Sequence, residues 1–68
     1  MQKEVLLITI SEAASALRIS KSSIYRLIAS GDIETIMVRG VQRIRPISLQ
    51  RFVEKQERYQ RERLVNLR

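Results

Sequence analysis

The sequence predicts a small α+β domain: two short helices in quick succession, a two-stranded hairpin and a third helix. Three observations carry this. Thr9–Ile28 holds two apolar-periodic runs, each opened by a Ser and separated by a short break. Ile33–Arg45 switches to alternation about an Arg39-Gly40 turn signal. Pro46 then opens a stretch rich in helix formers.

Size and composition narrow the function. At 68 residues the chain is at most one domain. A domain this small buries only about 60% of its unfolded surface. It has neither Cys nor His. That removes thiolate metal sites, the commonest general base and any Ser-His or Cys-His arrangement. No catalytic, cofactor-binding or metal-ligating set is read. There are 13 Lys and Arg against 7 Asp and Glu, a net charge of +6, and ten of the thirteen are Arg. Such a balance suits a polyanionic partner such as nucleic acid, although a basic surface also serves solubility. The apolar run Val5–Ile8 is too short for a signal sequence or a membrane span. A cytoplasmic, DNA-associated protein is expected, with no membrane partner.

In chain order, residues 1–4 read as a frayed polar end. Val5–Ile8 reads as a lead-in strand or an apolar strap over the core. Ser11 is expected to cap the first helix, from Glu12 to Leu17 or Arg18, with Ile10 stapled onto its first turn. Ala13, Ala14 and Leu17 give this helix a small apolar face. Ile19 is expected to be buried in the turn. Ser20 caps the second helix, Lys21–Ser30, whose inward stripe is Ile24, Leu27 and Ile28. Gly31 is placed to end it in a left-handed conformation.

This pair of helices has the outline of a helix-turn-helix. The outer face of the second helix carries Lys21, Ser22, Ser23, Tyr25 and Arg26. Short Ser side chains allow close approach to a major groove, the helix N-terminus can meet a phosphate, and Arg26 can fork onto a guanine. An ordinary solvated face has the same composition. In the hairpin, Ile36 and Val38 are expected inward, with Arg39, Arg43 and Arg45 at the tip and on one face. Such a basic wing commonly follows the DNA backbone or the minor groove. The bland reading is an edge hairpin kept from pairing by its charge.

Pro46 fits the first turn of the third helix, with Ser48 as another cap and Leu49, Phe52 and Val53 as its inward stripe. The core is expected over about residues 6–53. Residues 54–68 read either as a helical extension, with favourable Glu54–Arg58 and Glu57–Arg61 spacings, or as a charged tail. Tyr59, Leu64, Val65 and Leu67 are its apolar groups, and they mark a possible protein contact.

The residues Thr9-Ile10-Ser11-Glu12-Ala13-Ala14, Ile19–Ile28, Ser30-Gly31-Asp32-Ile33, Gly40, Arg43-Ile44-Arg45, Leu49 and Phe52 follow a known order and spacing. In them the chain resembles the excisionase family of recombination directionality factors, a MerR-like winged helix-turn-helix. The resemblance spans about residues 6–53. It implies that Ser20, Lys21, Ser22, Ser23, Tyr25 and Arg26 face the major groove, and that Arg39, Gly40, Arg43 and Arg45 form the wing contact. It also implies binding to attachment-site repeats on double-stranded DNA, DNA bending, a site-specific integrase as partner, and other copies of the chain alongside. A short domain with no effector region attached suits that architectural role. A small phage or plasmid repressor is the alternative of the same fold. A protein-interaction module acting through the C-terminal helix is the alternative of another class. The chain departs from the family at Glu34, where Pro is common, at Met37 and Val41, where polar or basic residues are common, and in having one wing Gly, Gly40, where two are frequent.

Overall fold

The computed structural model describes residues 5–66. The order is α1 (Ile10–Leu17), α2 (Lys21–Ala29), β1 (Thr35–Val38), β2 (Val41–Ile44) and α3 (Pro46–Asn66). This is the predicted small winged helix-turn-helix. The polar start, residues 1–4, lies outside the described residues. So do Leu67 and the side chain of Val65. Among the described residues no helix is long and apolar enough to cross a membrane.

The cap of α1 is Thr9, not Ser11. The Thr9 hydroxyl accepts from the Glu12 amide at 2.9 Å, and the Glu12 carboxylate accepts from the Thr9 amide at 2.8 Å. This reciprocal box satisfies two amides that Ser11 could not reach together. The helix therefore starts two residues early, and Ile10 enters the core as its first residue. At the other end Arg18 adopts a left-handed conformation, φ 58°. There the Arg18 amide donates to Ser15 O at 3.2 Å and the Ile19 amide to Ala14 O at 3.0 Å, a Schellman-type stop. That reversal swings Ile19 outward. It is exposed rather than buried in the turn.

Helix α2 is capped by Ser20 as expected and ends at Ala29. Gly31 follows at φ 84°, and the Asp32 amide donates back to Leu27 O at 2.9 Å. The core gathers Ile10, Ala13 and Ala14 from α1, Ile24 from α2, Ile33 from the loop, Ile44 from β2 and Leu49 from α3. Ile24, Ile33 and Ile44 are its largest fully buried side chains, each contributing about 1.5–3 kcal/mol. Ala13 and Ala14 keep α1 and α2 close. Phe52 packs on the core without being its buried centre. Val53 is exposed.

The hairpin pairs Thr35 with Ile44, Ile36 with Arg43, Met37 with Gln42 and Val38 with Val41. Paired residues share a face, and Ile44 is fully buried. The core side therefore carries Thr35, Met37, Gln42 and Ile44. Ile36 and Val38 lie on the outer side, which reverses the phase expected of β1, while Arg43 lies opposite the buried Ile44 as β2 was expected to place it. The cause is Ile33: it fills the core from the preceding loop, and the two-residue turn then fixes the register. Residues 5–7 do not cover the core. Only Ile8 joins the sheet, by a single antiparallel bridge to Ile44.

Ser48 does not cap α3. It lies within the first turn that Pro46 opens, its amide donating to Arg45 O at 2.9 Å. Helix α3 continues unbroken for 21 residues, about 32 Å at the standard rise. Residues 54–64 are all exposed along it. Of the stretch read as an extension or a tail, residues 54–66 are helical.

Candidate nucleic-acid interface

On α2, Lys21, Ser22, Tyr25 and Arg26 fall on one arc of about 140° at 100° per residue. All four are exposed. Ile24, Leu27 and Ile28 take the opposite arc and anchor the helix to the core. The two remaining hydroxyls are used locally. The Ser20 Oγ accepts from the Ser23 amide at 3.1 Å, and the Ser20 and Ser23 hydroxyls lie 3.0 Å apart, where either can donate. Ser23 is half-buried. The cap leaves earlier amides of the first turn free to meet an anion.

The wing stands beside this helix. An open cleft of about 500 Å³ separates them, lined by Tyr25 on one side and by Met37, Gln42 and Arg43 on the other, with Thr9 and Ser11 at its end. Arg43 is half-buried, and its guanidinium donates to Gln42 O at 2.9 Å. At the tip, Arg39 has φ 52° and Gly40 φ 81°. Positive φ at both turn positions is the type I′ pattern, which favours Asn-Gly or Gly-Gly. Arg39 occupies the first position at a steric cost of about 1 kcal/mol, and its side chain is exposed.

A helix-turn-helix domain model matches residues 7–57, most of the chain. The chain belongs to the helix-turn-helix domain family. Neither the curated proteins nor the solved structures contain a significant match.

Within this DNA-binding helix-turn-helix domain, α1 is the supporting helix and α2 the candidate recognition helix. Lys21, Ser22, Tyr25 and Arg26 share one open face, with Gly40 and Arg43 across the cleft and Arg39 at the wing tip. Ser20 and Ser23 belong to the cap. Arg45 is not part of this grouping. It follows β2 and lines a different cleft, beside the start of α3. Tyr59 and Leu64 are exposed on the α3 extension, away from the core. Arg63 stacks over the Tyr59 ring at 5.8 Å, one helical turn along.

Three features near the interface are not evident in the sequence. Met37 joins Gln42 in lining the cleft because the phase of β1 is reversed. Arg18 presents its side chain from the turn between the two helices in a left-handed conformation, which an Arg does not advertise. The Thr9-to-Glu12 spacing of the capping box was the one available signal for the early start of α1.

Proposed function

We propose that this chain is a sequence-specific DNA-binding and DNA-bending excisionase. It would assist a site-specific integrase in prophage or mobile-element excision by shaping the attachment site, while the integrase carries out the chemistry. The observation that carries this is the pairing of an exposed Lys21-Ser22-Tyr25-Arg26 face with a wing whose Arg39 is held at a strained tip. Backbone strain kept at a residue with an exposed side chain points to function, since Asn or Gly would relieve it. The resemblance of residues 6–53 to excisionases supports the same reading.

In this proposal α2 enters the major groove, with Arg26 as a candidate fork onto a guanine and Lys21 and Tyr25 on phosphates. Arg39 and Arg43 follow the adjacent backbone or minor groove. About 4–6 phosphate contacts give a log K against log salt slope of about −4 to −5. One such module covers little DNA, so discrimination draws on adjacent copies, a bent site or the integrase.

A gel-shift titration on circularly permuted fragments from around its own gene tests this. Retarded bands whose mobility depends on site position support bending and the excisionase role. Specific binding without bending favours a small repressor. Equal smearing on all DNA rejects both.

A further inference from the structure

We propose that the sheet face turned away from the recognition helix is a docking surface for an apolar protein segment that carries carboxylates. Two adjoining hollows form it. The larger, about 540 Å³, is floored by Leu6, Ile36, Pro46 and Ile47. The smaller, about 170 Å³, lies between Arg45, Ser48 and Arg51, with Glu34 at its rim. Ile36, Arg45 and Ile47 line both.

Apolar side chains are left open to solvent here. Leu6 is 79% exposed, Val5 59% and Ile47 40%. Val38 and Val41 continue the strip on the same sheet face as Ile36. In so small a domain, a contiguous apolar strip of this kind marks an interaction site more often than scattered surface residues do.

The chemistry of the rim selects the occupant. Among the described residues that line the hollows, two guanidiniums, on Arg45 and Arg51, border the apolar floor against one carboxylate, that of Glu34. A segment with Leu-like side chains for the floor and Asp or Glu at its flanks complements both features. DNA is a poor match, because phosphates gain nothing from Leu6, Ile36 and Ile47. The two hollows share no lining residue with the Tyr25 cleft. They therefore stay open while α2 is engaged, whereas Val41 and Arg43, on the same sheet face nearer the tip, border the Tyr25 cleft. The chain's own Leu64 cannot fill them. Helix α3 starts at the wall of the hollow and runs away from it without a break to Asn66.

The test is an NMR titration of the full ¹⁵N-labelled chain, without DNA. The probe is a synthetic 12-residue amphipathic peptide of Leu and Glu, and the control has every Glu replaced by Gln. Shifts at Leu6, Ile36, Ile47 and Arg51 with the Glu peptide, and markedly weaker ones with the Gln control, are expected. The double variant R45E/R51E should weaken binding roughly tenfold. Leu6→Gln should weaken it too, and its unchanged thermal melting would show that the fold is intact. Shifts centred on Lys21–Arg26 would overturn the proposal, because the peptide would then be mimicking DNA. Equal binding of the Gln control would overturn it as well, as would no shifts at all. Self-association without peptide that Leu6→Gln abolishes would overturn it in favour of a second copy. Since no DNA is present, failure here leaves the excisionase reading intact, and failure of DNA binding leaves this result intact.

Discussion

Ile8 and Ile44 exchange two backbone hydrogen bonds, of 2.8 and 2.9 Å. Ile8 directly precedes the capping box of α1, and Ile44 ends β2. This one bridge therefore ties the base of the wing to the start of the helix-turn-helix. Beside the bridge, the Ile44 side chain is fully buried in the core.

Replacing Ile8 by Pro removes the amide that donates to Ile44 O. The expected result is faster hydrogen exchange at the Ile44 amide and a loss of about 1 kcal/mol in denaturant unfolding. Ile44→Ala should cost more, about 2–5 kcal/mol, since the side chain is fully buried. For a domain of this size that approaches the whole of its stability, and circular dichroism would read it as a lost cooperative transition.

The capping box separates two neighbouring residues. Thr9→Ala should lower stability by about 0.5–2 kcal/mol and Ser11→Ala by less than about 0.5 kcal/mol. Urea melts of the two variants check this. Equal losses would contradict the hydrogen bonds that join Thr9 to Glu12.

At the wing tip, stability and binding should move in opposite directions. Arg39→Asn relieves a left-handed Arg and creates the preferred Asn-Gly turn, so unfolding should become harder by about 0.5–1 kcal/mol. The same change should weaken DNA binding and flatten the salt slope by about 1, as one phosphate contact is lost. A stabilised variant with an unaltered slope would remove Arg39 from the interface.

Arg26 and Arg43 should differ in kind. Arg26→Ala is expected to cost about 1–3 kcal/mol on the cognate site and to relax discrimination at one base pair. Arg43→Ala should weaken all sequences alike if the guanidinium meets only backbone. Fluorescence anisotropy on cognate and scrambled duplexes distinguishes the two patterns.

Tyr59 and Leu64 are exposed on the α3 extension, so Tyr59→Gln with Leu64→Gln should leave stability within about 0.5 kcal/mol. DNA affinity should also hold. Loss of excision in a reconstituted integrase reaction, with DNA binding intact, would assign the extension to a protein partner.

The helix-turn-helix was legible because its signals are local. Ser20, the Ile24-Leu27-Ile28 stripe and Gly31 act within a few residues of one another, and each was found where it was read. The phase of β1 was not legible, although that of β2 was, with Ile44 inward and Arg43 opposite. Ile36, Met37 and Val38 are all apolar, so alternation could not say which side faces inward. Ser11 and Ser48 resemble caps, yet Thr9 holds the better reciprocal partner in Glu12 and Pro46 begins α3 earlier. Ile19 reads as a core residue until the left-handed Arg18 turns it outward.

By itself the sequence determined the element order, the cap and stop of α2, the Arg39-Gly40 turn and the basic character of the recognition face. These follow from short-range hydrogen bonding, backbone sterics and 3.6-residue periodicity, which act along the chain. Tertiary structure alone decided which sheet face is buried, that Tyr25 and Arg43 border one cleft while Arg45 leaves for another, and that Leu6 and Ile47 stay open to solvent. Those outcomes depend on Ile33 and Ile44 being gathered into one core, which exists only once the chain has closed on itself.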